Sequence, residues 1–354
     1  MDVIIVSPNL DPSVSLGGVS AVSSFIVNNN KDCNYIHFEL GKRDSEPGGL
    51  KRFLGLWNSL NAWKSLLRSY PNAVIHYNFP LSPGAIIRDF FFMRVARKLR
   101  RKMVVHVHGG VYMNSSHIPF VLYKVLKHIF QWDVPFIVLS EHEKDVISLR
   151  FSPQNVYSLP NCVELSDNIT KTENTQVLTI GYLGRITEAK GMKELHEASK
   201  ILLTKGIPFK LKIAGVEDKE ETYINAFKNH LGSSFEYEGI ISGNTKKEFL
   251  NSLDIFVLPS YFEGLPVSML ESMSYGAVPV VTPVGSIPEV VKDGINGLLI
   301  EVHSIESIVN AIIRLQEHNS LRTQLSKAAR ITIEEQFNPK EYIEKLNWIY
   351  QLAQ

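Results

Sequence analysis

Pro259-Ser260-Tyr261-Phe262-Glu263-Gly264-Leu265-Pro266-Val267-Ser268-Met269-Leu270-Glu271 sets two carboxylates eight positions apart across a strand–loop–helix junction. The run Asp254-Ile255-Phe256-Val257-Leu258-Pro259 before it reads as a buried parallel strand. Pro266 suits the first turn of a helix, where its missing N–H costs nothing. Gly276 suits a left-handed cap at the helix end. Glu263 therefore falls on the loop, and Glu271 falls about a turn and a half into the helix. Helical side chains lean toward the N-terminus, so Glu271 leans back to the crevice that Glu263 faces. Unpaired N–H groups at the helix start make that crevice an anion site. Phosphates near the loop with hydroxyls on either side describe a nucleotide sugar. A solvated loop glutamate and a surface helix glutamate fit the same spacing.

A second element lies upstream. Val177-Leu178-Thr179-Ile180-Gly181-Tyr182-Leu183-Gly184-Arg185 reads as a strand emptying into a loop, followed by Glu188-Ala189-Lys190-Gly191 and a helix over 192–205. Arg185 and Lys190 are then two cations at the carboxyl end of a strand, where open α/β sheets bind ligands. An Arg forks onto phosphate oxygens, and a Lys supplies a mobile point charge. A solvated basic loop is the competing reading.

With both elements in view, the chain resembles glycosyltransferase family 4, the retaining family with the two-domain GT-B fold. Gly184-Arg185 with Lys190-Gly191 is similar to its diphosphate-binding loop, and Glu263 with Glu271 to its Glu-x7-Glu motif. Gly276-Ala277-Val278-Pro279-Val280-Val281 and the run from Gly285 to Leu299 follow its C-terminal pattern. Gly17-Gly18-Val19, His106-Val107-His108-Gly109-Gly110, Ser140-Glu141 and Leu159-Pro160-Asn161 fall in the family's order. Cys162 stands where members usually have Gly. The resemblance implies two Rossmann-like domains with parallel sheets facing across a cleft, and a last helix crossing back to the first domain. It implies a hexosyltransferase. Arg185 and Lys190 would neutralise the leaving diphosphate, aided by Gly264 and Leu265 at the helix start. Glu263 would bind the hexose and Glu271 the ribose, while Gly17 and Gly18 approach the donor phosphates. His108 would contact the sugar; His106 is expected to face away from it in a structural role. Ser140 and Glu141 suit a helix cap or a ligand contact, and Asn161 borders the hinge.

No Asp-x-Asp occurs in the chain, the pair that metal-dependent transferases of the other common fold use. Two cations at the diphosphate make a metal unnecessary, so neither a metal nor a cofactor is expected. The donor is a nucleotide sugar, UDP-linked before GDP-linked, carrying a hexose or N-acetylhexosamine. A nucleotide-sugar epimerase and a phosphorylase share this fold and stand as alternatives, as does a transferase acting on a soluble sugar.

Composition agrees with a folded two-domain protein. The 354 residues exceed one ordinary core, and 44% hydrophobic with 21% charged residues is normal for globular domains. The net charge of +1 conceals a split. Residues 1–160 carry 18 Lys and Arg against 11 Asp and Glu, and the remainder 19 against 25. A charge asymmetry of this kind points to an anionic partner for the first half. Cys33 and Cys162 are too few for a disulfide framework and match no metal spacing, which fits a reducing cytoplasm. Met1-Asp2-Val3-Ile4-Ile5-Val6-Ser7 reads as a first strand and not as a signal peptide.

Short apolar strands alternate with helical patterns throughout, as in parallel α/β sheets. Six strands are expected in each half, with domains over 1–163 and 176–338, a polar linker over 164–175 and a last helix over 339–354. In the first domain the run Ile86 to Lys102 holds seven basic residues and one acid among Phe90, Phe91, Phe92 and Met93. The preceding helix offers Phe53, Trp57, Lys51, Arg52, Lys64 and Arg68. Basic amphipathic helices read as membrane-surface elements. The expectation is peripheral contact with an anionic membrane on its cytoplasmic face and a lipid-linked saccharide acceptor, as in bacterial lipopolysaccharide, capsule or exopolysaccharide assembly. No recognition motif for nucleic acid is present, and no nucleic-acid partner is expected.

Overall fold

The computed structural model describes residues 1–11, 17–41, 50–115, 117–165, 176–217 and 222–353, without the side chains of 50–56 and 114. The chain divides into two compact units, Met1–Asn161 with Lys340–Gln354, and Cys162–Pro339. Residues 166–175 of the expected linker lie outside the described residues.

The first unit runs β1 (Asp2–Ser7), α1 (Gly18–Asn29), β2 (Asn34–Glu39), α2 (Leu50–Ser69), β3 (Val74–Phe79), α3 (Pro83–Lys98), β4 (Met103–Val107), α4 (Val111–Asn114), α5 (Phe120–Phe130), β5 (Phe136–Val138), α6 (Glu141–Phe151) and β6 (Val156–Ser158). Its six strands are parallel in the order β2-β1-β3-β4-β5-β6. Every residue of β3 and β4 is buried, because helices cover both faces of a parallel sheet. The strand order reverses between β1 and β3.

The second unit runs β7 (Leu178–Leu183), a 3₁₀ turn (Glu188–Lys190), α7 (Met192–Thr204), β8 (Phe209–Ala214), α8 (Tyr223–Leu231), β9 (Phe235–Gly239), α9 (Gly243–Asn251), β10 (Ile255–Leu258), α10 (Val267–Ser274), β11 (Val278–Val281), α11 (Ile287–Val290), β12 (Leu298–Leu299), α12 (Ile305–Glu317) and α13 (Asn319–Gln336). Its parallel sheet has the order β12-β11-β10-β7-β8-β9. Here the reversal lies between β7 and β10, the two strands that carry the sequence motifs. Ligand crevices in open α/β sheets form at such reversals, beyond the carboxyl ends of the strands.

The last helix, α14 (Pro339–Leu352), belongs to the first unit from Lys340 on. It buries Tyr342, Leu346, Ile349 and Tyr350. Asn347 accepts from Asn30 Nδ2 at 2.7 Å and donates to Asp32 at 3.0 Å, and Trp348 meets Tyr157 edge-on.

Several local differences from the sequence reading have plain causes. Helix α11 stops after one turn at Val290, where Asn296 Oδ1 takes the Lys292 N–H at 2.7 Å and its Nδ2 reaches the Val290 carbonyl. Pro266 is the cap of α10 and not its first residue. Ser140 is a cap: its Oγ accepts the Glu143 N–H at 3.1 Å, while Glu143 takes the Leu139 N–H. On α3 the triplet of phenylalanines splits. Phe91 is exposed, Phe90 is half-buried, and Phe92 is buried, its own carbonyl accepting from Trp63 Nε1. The side chain of Phe53 lies outside the described residues.

Candidate active site

Most of the residues expected at the donor site lie in the second unit, on the loops and helices beyond its strand reversal. The chain leaves β7 through Gly184 and Arg185, and Tyr182 Oη donates to the Arg185 carbonyl at 2.5 Å. Ile186 donates to the Val216 carbonyl at 2.8 Å, which holds the loop beside the end of β8. The 3₁₀ turn then presents Lys190, and Gly191 follows in a left-handed conformation with φ 73°. A Cβ at Gly191 would lie 2.2 Å from the Pro259 carbonyl oxygen, so only glycine lets the two loops touch. Tyr261 N–H donates to the Ala189 carbonyl at 3.0 Å across the same contact.

This approach brings Lys190 and Glu263 together, Nζ to Oε1 at 2.5 Å. Glu263 is also braced from the other side. Gly285, at φ 59°, packs so closely that a Cβ would lie 2.2 Å from the Glu263 carbonyl, and Ser286 N–H donates to the Gly264 carbonyl. Leu265 is buried, and the first turn of α10, whose leading N–H groups lack intrahelical acceptors, follows it. Arg185 is exposed on the loop between β7 and Lys190.

Glu271 sits on α10, half-buried. Its partner is Lys246 of α9, Nζ to Oε1 at 2.6 Å, a residue that carries no signal in the sequence. Each glutamate of the motif thus carries a lysine partner. A second unannounced feature ties the loops. Tyr261 Oη donates to both oxygens of Glu194 at 2.9 Å, and the His303 ring lies 3.9 Å from the Tyr261 ring and 3.5 Å from Glu194. Burial and the Glu194 carboxylate push the Tyr261 hydroxyl pKa up, so it stays a donor. No sequence motif marks this tether, since it joins three separate loops and helices.

The remaining expected residues belong to the first unit. Gly17 caps α1 with ordinary backbone angles, its carbonyl accepting from Ser20 and Ala21. A Cβ at Gly17 or Gly18 would meet nothing within 4 Å among the described residues. Packing therefore gives no reason for glycine there. His108 follows β4, half-buried, with Nε2 on Asn78 Oδ1 at 2.5 Å. His106 does not face away from it. Residues two apart share a face of a strand, and the two rings lie 4.0 Å apart. His106 Nδ1 meets His76 Nε2 at 3.2 Å, and His76 Nδ1 meets Tyr350 Oη of α14 at 2.7 Å. Burial lowers the pKa of His76 to about 4, and burial with His76 nearby lowers that of His108 to about 3. Burial also lowers His106. All three rings are neutral at pH 7.

Two doubly wound α/β units, with paired charges beyond the strand reversal of the second, define the GT-B class of fold. Sucrose-phosphate synthase from Thermosynechococcus elongatus has this architecture over 99% of the present chain and 98% of its own, with TM-score 0.79 and 18% identity. Residues 167–332 match the family model described as glycosyl transferases group 1, the segment that contains Arg185, Lys190, Glu263 and Glu271. Among curated proteins, an uncharacterized glycosyltransferase of Haemophilus influenzae is 30% identical over 203 residues, which span 56% of each chain. The UDP-Gal:alpha-D-GlcNAc-diphosphoundecaprenol alpha-1,3-galactosyltransferase of Escherichia coli is 26% identical over 273 residues, 70% of this chain and 68% of that one.

Proposed function

We propose that the protein is a retaining glycosyltransferase of family 4 type, moving a hexose or N-acetylhexosamine from a nucleotide sugar, UDP-linked first, to a lipid-linked saccharide. The observation that carries this reading is the strand-reversal cluster: Lys190 against Glu263, with Arg185 on the same loop and Glu271 on the following helix. In the reaction the bond between the anomeric carbon and the diphosphate oxygen breaks, and a bond to the acceptor oxygen forms. The acceptor proton passes to the leaving phosphate. Negative charge gathers on that diphosphate, so fixed cations and N–H dipoles aimed at it favour the transition state over the ground state. Arg185, Lys190 and the start of α10 supply them, without a metal. Lys190 exchanges Glu263 for phosphate oxygens, which frees the carboxylate to take sugar hydroxyls. Glu271 accepts from the ribose hydroxyls. Gly17 and Gly18 are assigned to the donor phosphates by this reading, and a Cβ at either would meet nothing within 4 Å among the described residues.

The lipid-linked acceptor is supported by the Escherichia coli relative, whose name specifies a diphosphoundecaprenol substrate. It is supported also by an exposed stripe on α3, Ile87, Phe91, Arg94 and Lys98, at helical spacing. The reading places the protein on the cytoplasmic membrane face in bacterial surface-polysaccharide assembly. Turnover of a UDP- and GDP-sugar panel with a polyprenyl-diphosphate saccharide tests it, with the anomeric configuration of the product read by NMR. Transfer with retention is expected. Inversion overturns the retaining assignment, and absence of transfer from every nucleotide sugar overturns the reading.

A further inference from the structure

Asn78 of β3 lies between three partners that together leave it one orientation. Its Nδ2 donates to the Val6 carbonyl at 2.9 Å and to Ser23 Oγ at 3.1 Å, and its Oδ1 faces His108 Nε2. A backbone carbonyl can only accept. Flipping the amide would set Oδ1 against the Val6 oxygen, so the NH₂ group must face Val6 and Oδ1 must face His108. An amide oxygen in turn can only accept, and therefore Nε2 of His108 must carry the hydrogen. In a neutral imidazole the other nitrogen is then a bare acceptor.

We infer that Asn78 is a positioning residue that fixes His108 as its Nε2–H tautomer, so that Nδ1 offers a lone pair to a hydroxyl of the bound sugar. The inference rests on the proposed reading of His108 as a sugar contact. Nδ1 of His108 has no hydrogen-bond partner among the described residues, and the residue is half-buried, not sealed. The lowered pKa of His108 agrees, since an imidazolium would present a second N–H in place of the lone pair. Asn78 is itself buried on the strand next to the one that His108 follows, and the two groups that accept from its Nδ2 come from β1 and α1. The reversal in the first sheet, between β1 and β3, thus sets the chemistry of a residue at the end of β4. The fixed tautomer also gives a preference. Nδ1 accepts from a hydroxyl and repels a carboxylate or a carbonyl oxygen in its place, so neutral hydroxylated sugars are favoured over uronic acids at this contact.

The test is direct. With ¹⁵N-labelled histidine, long-range ¹H–¹⁵N correlation identifies the tautomer of each ring, and His108→Gln removes the His108 signals and so assigns them. The wild type is expected to show His108 neutral, protonated on Nε2 and bare on Nδ1 through the neutral pH range. Adding the nucleotide sugar turned over fastest should shift the Nδ1 resonance. Asn78→Ala should mix the two tautomers and lower kcat on the order of tenfold, the scale of one well-placed hydrogen bond, with donor KM little changed. A wild-type His108 protonated on Nδ1 overturns the inference, whether or not Asn78→Ala folds. So does an Asn78→Ala protein with an unmixed tautomer and wild-type kcat. These spectra need no turnover: an Nε2–H tautomer in a protein that transfers no sugar would sink the functional reading and leave the Asn78 assignment standing.

Discussion

Lys190 and Glu263 face each other at 2.5 Å with side chains 25% and 10% exposed, so each partly screens the other from water. Taking one away leaves a half-buried charge, but the larger effect is expected on chemistry. Lys190→Ala or Arg185→Ala should lower turnover on the order of 10²–10³-fold, the loss of one transition-state charge contact. Steady-state kinetics check this, and wild-type rates in both variants would contradict it. Glu271→Ala should act differently. A ribose is held alike before and during the reaction, so donor affinity should fall with little change in kcat. Lys246→Met frees Glu271 from its ion pair and should weaken donor binding less than Glu271→Ala does, as read by calorimetric titration. An unchanged affinity in Glu271→Ala would remove that residue from the nucleotide site.

At the scale of elements, the site depends on loops that could not take another path. Gly191 and Gly285 sit at positive φ with backbone oxygens 2.2 Å from where a Cβ would stand. Alanine at either must push the Glu263 loop away, so both variants should lose most activity and melt lower. The Tyr261–Glu194 tether acts more gently. Tyr261→Phe removes one hydroxyl shared by two carboxylate oxygens and should cost about 1–3 kcal/mol, the range for a buried partner left unpaired. Chemical denaturation reads this, and an unchanged midpoint would show the tether to be idle. These features explain what the sequence could and could not disclose. Continuous apolar runs such as Ile255-Phe256-Val257-Leu258 announce buried parallel strands, and Glu263, Glu271, Arg185 and Lys190 stand out as charges beyond strand ends, where open α/β sheets form crevices. Lys246, Glu194 and His303 are silent, because their partners are distant in the chain and chosen by packing. Asn78 is silent for the same reason, its three partners lying 72, 55 and 30 positions away.

At the scale of the molecule, the first unit carries a string of neutral histidines joined to its C-terminal helix. His76 is held uncharged with its pKa near 4, against an ordinary value of about 6.5 for an unfolded chain. Between those values the unfolded chain binds more protons, so stability rises with pH there and is lost as pH falls from about 6.5 toward 4. His106 and His108 are lowered as well, and together they should cost a few kcal/mol, on the order of the linkage for shifts of this size. Denaturant midpoints at pH 7 and pH 5 check this; equal midpoints would mean the rings take up protons without penalty. Residues 1–160 carry 18 Lys and Arg against 11 Asp and Glu, a balance that favours an anionic surface. Vesicle sedimentation should show binding that rises with anionic lipid, falls with salt, and weakens when Arg94, Arg97 and Lys98 are neutralised together.

On the proposed reading, the loops beyond β7 and β10 bind a nucleoside diphosphate through protein cations. Equilibrium titration of UDP in EDTA, into the wild type, Lys190→Ala and Glu271→Ala, tests it most directly. The wild type is expected to bind UDP without metal, and each substitution to weaken binding on the order of tenfold or more, the size of a lost charged hydrogen bond. Wild-type affinity in both variants, or UDP binding that appears only when a divalent metal is restored, would contradict it.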